Sequence, residues 1–226
     1  MKHPSPEPTT HELPTRPRST SLAGRAGVVK DLAAFRARSV VGPLTARRRL
    51  AGSTRLHLGC GDHVLEGWAN LDLLGFPGVV PWNLTRNLPV GDGTIDFIFT
   101  EHFIEHVTLE QARALLSECH RVLRPGGVMR ISTPDLRKLI SEYQAGRTSE
   151  WTDVEWVPAT PCQMLNEGVR SWGHLFVFDP EELTSLLKET GFVDVEHAGW
   201  RSSSHAPLRD LECRPFHDEI IVEATK

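Results

Sequence analysis

The stretch Arg55-Leu56-His57-Leu58-Gly59-Cys60-Gly61-Asp62 decides the fold. Arg55–Gly59 alternates apolar and polar residues and runs into a glycine-rich turn, the pattern of a strand feeding a sharp loop. Two glycines around one residue let the backbone turn tightly and approach a ligand closely. A phosphate-cradling dinucleotide loop has a third glycine, as in G-x-G-x-x-G, opening a helix. Val64 or Leu65 stands at that place here, which weakens the dinucleotide reading. Eleven residues beyond Gly61 comes Asp72, at the end of a second strand read over 68–73. An acid there can accept hydrogen bonds from two ribose hydroxyls. The glycine turn and the strand-end acid, in that order, predict an adenosine site without a pyrophosphate cradle.

The pattern continues outward from this stretch. A third strand is read over 78–82 and a fourth over Thr94–Thr100, which is β-branched and aromatic. Leu109–Leu123 places Leu109, Ala112, Leu115, Leu116, Cys119 and Leu123 on one helical face. Arg124-Pro125-Gly126-Gly127 predicts a turn that stops this helix. A strand follows over Val128–Ser132, then helices over Asp135–Ala145 and Pro180–Gly191. Val193–His197 and Glu219–Glu223 close the chain as strands. Alternating strands and helices predict an α/β domain with a mostly parallel sheet and helices on both faces. Residues 146–173 break this rhythm and hold Trp151, Trp156 and Trp172, half of the six tryptophans. An insertion of that length is expected to be a lid, a binding loop or an interface.

The chain divides into an arm over 1–20, a helical segment over 21–54 and a main domain over 55–226. Five prolines in residues 1–20 predict disorder, because such a stretch cannot bury enough apolar surface to offset its chain entropy. Ala, Leu, Val and Arg at helical spacing predict one or two short amphipathic helices in 21–50. Residues 1–55 carry a formal charge of +8 and the remainder −12, within a total of −4. A basic arm allows a nucleic-acid-binding scaffold, but an arm solvated or folded against its own acidic domain is the simpler reading. No run of about 18 apolar residues suggests a membrane span, and the start lacks an apolar signal region. Cys60, Cys119, Cys162 and Cys213 lack C-x-x-C spacing, so a disulfide scaffold or cysteine zinc site is not expected. A reducing cytoplasm follows as the expected compartment.

These residues resemble the class I S-adenosylmethionine-dependent methyltransferases, from about residue 55 to 226. The resemblance rests on L-H-L-G-C-G at 56–61, N-L-D at 70–72 and L-P-V-G-D-G-T-I-D-F-I-F at 88–99. It continues through E-H-F-I-E-H-V at 101–107, C-H-R-V-L-R-P-G-G at 119–127 and R-I-S-T-P-D-L at 130–136. Within the family the chain looks most like small bacterial enzymes found with glycan and secondary-metabolite genes. There too a histidine, an aromatic and an acid precede a helix, as in His174-Leu175-Phe176-Val177-Phe178-Asp179. The resemblance implies a Rossmann-like, seven-stranded, mostly parallel sheet with an antiparallel last strand, an N-terminal helical arm and a lid at 146–173. It implies S-adenosylmethionine as cofactor, with Gly59, Cys60 and Gly61 lining its methionine part and Asp72 holding the ribose. Asn83 and Leu84 would meet the adenine, where the family commonly has Asp. Glu101 and His102 would follow the strand facing the methyl. Only ten residues separate Gly61 from Asp72, so the usual first helix must be short or missing.

Methyl transfer to a hydroxyl needs alignment, exclusion of water and removal of one proton. Histidine suits the last task because its pKa sits near neutrality. His174 and His102 are the base candidates. His106 reads as structural, and His205 lies in a loop between the last strands. A second reading makes His102, Glu105, His106 and His174 ligands of a divalent ion such as magnesium. Some related O-methyltransferases carry a Glu-x-x-Glu-His motif used in this way. The acceptor is expected to be a small molecule or oligosaccharide, above all a saccharide or glycoside hydroxyl stacked on the insertion's tryptophans. A natural-product O- or N-acceptor is the alternative. Ser132-Thr133-Pro134-Asp135 stands where nucleobase amino-methylating enzymes carry D-P-P-Y or N-P-P-Y, which disfavours a flipped base. A homodimer is compatible with the sequence, and a nucleic-acid partner is not expected. A nicotinamide dehydrogenase remains the competing enzyme class, and the absent third glycine argues against it.

Overall fold

The computed structural model describes residues 45–151, 155–214 and 217–226. The arm read over 1–20 and residues 21–44 of the helical segment lie outside the described residues. Seven strands form one sheet in the order β3-β2-β1-β4-β5-β7-β6. They are β1 Arg55–Leu58, β2 Ala69–Asp72, β3 Val79–Pro81, β4 Ile95–Glu101, β5 Leu123–Thr133, β6 Val193–His197 and β7 Ile220–Thr225. Strands β1 to β5 pair in parallel, and β7 runs antiparallel to both β5 and β6. This is the predicted Rossmann-like sheet. The order reverses between β1 and β4, and ligands of such sheets bind outside the carboxyl ends of the strands at that point.

Helix termini follow local chemistry. Helix α1, Leu109–Val122, opens with a capping box in which Thr108 and Gln111 satisfy each other's backbone amides. Helix α2, Leu136–Gln144, is capped by Asp135. Helix α3, Pro161–Arg170, begins with Thr160 as cap and proline in its first turn, and helix α4, Pro180–Glu189, does the same with Asp179. The main core gathers Leu56, Leu58 and Ile98 of the central strands with Leu116 and Leu187 of the helices. Ala46, in the helical turn at 45–49, and Leu50, just after it, belong to the same core.

Two features depart from the sequence reading, and a third narrows it. Residues 124–127 do not form a simple helix-stopping turn, because β5 already begins at Leu123. Gly126 donates its amide to Lys226 O and Gly127 O accepts from Lys226 N, so the sheet captures this segment against the chain end. The segment 146–173 contains the regular helix α3, whose Met164 packs with Leu139 of α2 and with Trp156. The spacing between Gly61 and Asp72 left the first helix short or missing, and among the described residues there is none between β1 and β2. Asn70 replaces it: its Oδ1 accepts from Leu65 N at 2.9 Å, and its Nδ2 donates to the carbonyls of Leu65 and Trp68, each at 3.0 Å. Asn70 Oδ1 also accepts from His57 Nδ1 at 3.1 Å. Burial pushes the His57 pKa down to about 4, so the ring stays neutral.

Candidate active site

The turn after β1 is fastened to the end of β2. Gly59 N and Cys60 N both donate to Leu71 O, at 2.9 and 3.2 Å. The Asp72 carboxylate accepts Gly61 N on Oδ2 and Leu74 N on Oδ1, both at 2.9 Å. A carboxylate has about four lone-pair positions, so each oxygen keeps one for a further donor. Gly59 and Gly61 hold φ of +67° and +54°. A Cβ on Gly59 would lie 2.4 Å from the Phe103 ring, whereas Gly61 faces open space. Cys60 is not a nucleophile: burial, and then the nearby Asp72 charge, raise its pKa to about 12.

Three buried side-chain polar atoms lack a partner among the described residues: His63 Nδ1, Trp82 Nε1 and Thr100 Oγ1. They belong to the turn after β1, the residue after β3 and the penultimate residue of β4. All three therefore lie at the carboxyl edge of the sheet. Orphaned polar groups there, beside a loop with open space at Gly61 and a carboxylate with free lone pairs, fit a bound nucleoside with polar substituents. Asn83 is exposed, and its Oδ1 accepts from Thr85 N and Oγ1. Leu84 is buried in the core, which leaves its backbone as the group open to a ligand. Glu101 is 7% exposed and accepts Cys213 N and Sγ on Oε2 and Arg214 N on Oε1. It thereby anchors the loop before β7.

The two histidines put forward as base candidates differ in state. His102, at φ +50°, is held between two carboxylates, with Nδ1 at 3.1 Å from Glu105 Oε1 and Nε2 at 2.5 Å from Glu219 Oε1. The remaining oxygens are occupied too, Glu105 Oε2 by Thr133 Oγ1 and Glu219 Oε2 by Ser132 Oγ. Burial alone would lower the His102 pKa, but the bonds to Glu105 and Glu219 outweigh it and raise the value to about 9. A protonated ring with both nitrogens committed cannot accept a proton, so the expectation of His102 as a base is corrected. It also cannot ligate a metal, which removes it from the proposed ligand set.

His174 is the opposite case. Its Nδ1 donates to Gly168 O at 2.9 Å, leaving Nε2 as the acceptor. Burial holds its pKa below the ordinary histidine value. Its ring meets that of His106 edge-on at 5.1 Å. Ligand atoms of Glu105, His106 and His174 lie within 4.8 Å of one another, three of the four residues expected as metal ligands. His205 lies elsewhere, with its ring 5.9 Å from Phe97.

A cavity of about 270 Å³ opens here, lined by His102, His106, Pro134, Trp151, Trp172, His174, Arg214 and His217. Trp151 stacks on His217 at 4.6 Å and near-parallel to Trp172 at 6.2 Å. Trp172 holds φ of +56°, so two residues with left-handed backbone, His102 and Trp172, line one cavity. Trp151 and Trp172 of the segment 146–173 thus form part of the cavity wall. Arg214 and His217 were not singled out in the sequence, since their loop has neither periodicity nor a motif. The larger cavity, about 550 Å³, lies at the amino ends of β1 and β4, away from this chemistry.

Residues 76–131 match the methyltransferase domain family. A probable S-adenosylmethionine-dependent methyltransferase of Mycobacterium tuberculosis H37Rv is 33% identical over 138 residues, covering 61% of this chain and 39% of the relative. Another, from Mycolicibacterium smegmatis, is 48% identical over 137 residues, covering 61% of this chain and 42% of the relative. The chain thus spans about two fifths of the length of these relatives. A solved methyltransferase of Archaeoglobus fulgidus aligns with a TM-score of 0.46 at 18% identity, covering 84% of this chain and 94% of that one. The sheet order is Rossmann-like, and the segment 76–131 within it is similar to the methyltransferase domain family. The curated relatives that share this region are named as probable S-adenosylmethionine-dependent methyltransferases. Among the described residues, no helix is long and apolar enough to cross a membrane.

Proposed function

We propose that the protein transfers a methyl group from S-adenosylmethionine to a hydroxyl of a small cyclic acceptor, with a saccharide or glycoside as the leading class. When bound, the cofactor supplies the methyl as a sulfonium with a good leaving group. Asp72 would hold the ribose hydroxyls on its free lone pairs, and the Gly59–Gly61 turn would give the methionine part close backbone approach. Asn83, Leu84 and Glu101 complete the expected cofactor contacts. The acceptor would enter the cavity beside the carboxyl end of β4, where the tryptophan faces suit the C–H faces of a sugar ring.

The observation that carries this reading is the state of His174. Its Nδ1–H is committed to Gly168 O, so the neutral ring keeps Nε2 as an acceptor within the cavity wall. His174 Nε2 takes the hydroxyl proton as the new O–C bond forms. His102 stays an imidazolium and positions the surrounding loops instead. The test is calorimetry with S-adenosylhomocysteine, followed by a screen of glycosides and hydroxylated natural products with labelled S-adenosylmethionine. No binding of S-adenosylhomocysteine would end the reading.

The convergence of Glu105, His106 and His174 favours a second reading, in which these residues hold a divalent ion that activates the hydroxyl. Loss of activity with chelator, and its return with added magnesium, would decide for the ion.

A further inference from the structure

We infer that the acceptor ring carries a carboxylate, and that Arg214 recognises it. The inference rests on the methyl-transfer reading for the role of the cavity, and on the wall for the acceptor's chemistry. The main chain of Arg214 is pinned on both sides: its N–H donates to Glu101 Oε1, and its carbonyl accepts from Trp200 Nε1, each at 3.2 Å. Its guanidinium has no hydrogen bond or ion pair among the described residues, although it lines the cavity. The main-chain bonds thus fix where the side chain starts at the cavity, and its five-donor fork stays uncommitted among the described residues. That fork matches a carboxylate bidentately.

The rest of the wall agrees. Among the described lining residues there is no Asp, Glu, Asn or Gln, the side chains that most readily accept from the hydroxyls of a neutral polyol. Glu105 and Glu219 are bonded to His102 and are not among the residues that line the cavity. What remains is flat: Trp151 and Trp172 lie 18° from parallel. The cavity, about 270 Å³, falls just below the roughly 300–1,000 Å³ typical of drug-sized ligands. It suits one ring and its substituents. An acidic sugar and a hydroxylated benzoate share this chemistry, a ring bearing both a hydroxyl and a carboxylate.

The experiment uses the full chain and four probes: methyl glucuronoside, methyl glucoside, 4-hydroxybenzoate and 4-hydroxybenzyl alcohol. Binding of each is read by tryptophan fluorescence and calorimetry, with and without S-adenosylhomocysteine. The nucleotide's own affinity reports on the methyl-transfer reading alone. At least one acid is expected to bind about 10–100-fold tighter than its neutral counterpart, the range of a charge-assisted pair. The acid that wins identifies the ring type. Arg214→Gln is expected to abolish the preference and leave S-adenosylhomocysteine binding unchanged, and Arg214→Lys to keep part of it. Equal binding of acid and neutral probes, no binding by any probe, or a preference that survives Arg214→Gln would overturn the inference.

Discussion

His102 Nε2 and Glu219 Oε1, 117 positions apart in the chain, meet at 2.5 Å. The contact joins the loop after β4 to the segment leading into β7. On the other ring nitrogen Glu105 closes the clamp, and Ser132 and Thr133 at the end of β5 bind the two carboxylates from behind. One imidazolium thus ties together three strand ends that border the cavity. Two buried carboxylates around one cation leave a net negative charge, so the clamp stands only while the ring is protonated.

The clamp gives stability a definite pH dependence. The folded His102 pKa, about 9, lies above the ordinary value of 6.5. Its contribution is therefore complete below pH ~6.5 and is lost as pH rises through about 9. His102→Phe leaves Glu105 and Glu219 buried without their cation and should cost about 3–5 kcal/mol near neutrality. Denaturant unfolding between pH 6 and 10 should show the parent losing stability toward the alkaline end and the variant losing far less. Parallel curves would remove His102 from this role.

The proposed role of His174 as base gives the rate a pH dependence on the acid side. Because burial lowers its pKa, kcat/KM should rise with pH through a value below about 6.5 and then flatten. A second, falling limb near pH 9 would mark the loss of the His102 clamp. His174→Ala should lower kcat by about 10²–10⁴-fold, the usual contribution of a general base, with S-adenosylhomocysteine affinity intact. If this variant keeps the parent kcat, the acceptor needs no base from the protein.

Asp72 is the hub of the cofactor loop. Asp72→Ala removes the acceptor for two backbone amides as well as the expected ribose contact. S-adenosylhomocysteine affinity should fall by about 1–3 kcal/mol, the cost of leaving polar groups unpaired. Calorimetry returning the parent affinity would take Asp72 out of the site.

The two glycines of the turn should differ. Gly59→Ala places a Cβ against the Phe103 ring and in left-handed backbone, whereas Gly61→Ala meets only the backbone cost, about 1–2 kcal/mol. Thermal unfolding should therefore rank Gly59→Ala well below Gly61→Ala. Adding Phe103→Ala should restore part of the relief at position 59 and none at position 61. Equal melting temperatures for the two single variants would contradict this packing.

Arg55–Asp62 and Asp72 were sufficient to read a tight glycine turn after β1 and an acid at the end of β2, because glycine's freedom and a strand end act within a few residues. Strand and helix order was equally legible, since periodicity and caps such as Thr108 and Asp179 are local. Helix α3 was missed among the tryptophans, although Thr160-Pro161 is a start signal, because the lack of an obvious apolar stripe hid it. Asn70 was visible as a residue but not as the substitute for a helix, since its partners lie on a loop whose course the sequence does not specify.

The histidines mark the boundary between the two kinds of information. Sequence alone put His102 and His174 forward together, as groups that titrate near neutrality at a place where a base is useful. Only the tertiary structure distinguished them. A pKa depends on what surrounds the ring, and Glu219 reaches His102 from the far end of the chain, while Gly168 O fixes which nitrogen His174 presents. Arg214 enters the site for the same reason. Sequence determined what each residue can do, through its own chemistry and its near neighbours. Long-range packing decided which charges were compensated and which were left free.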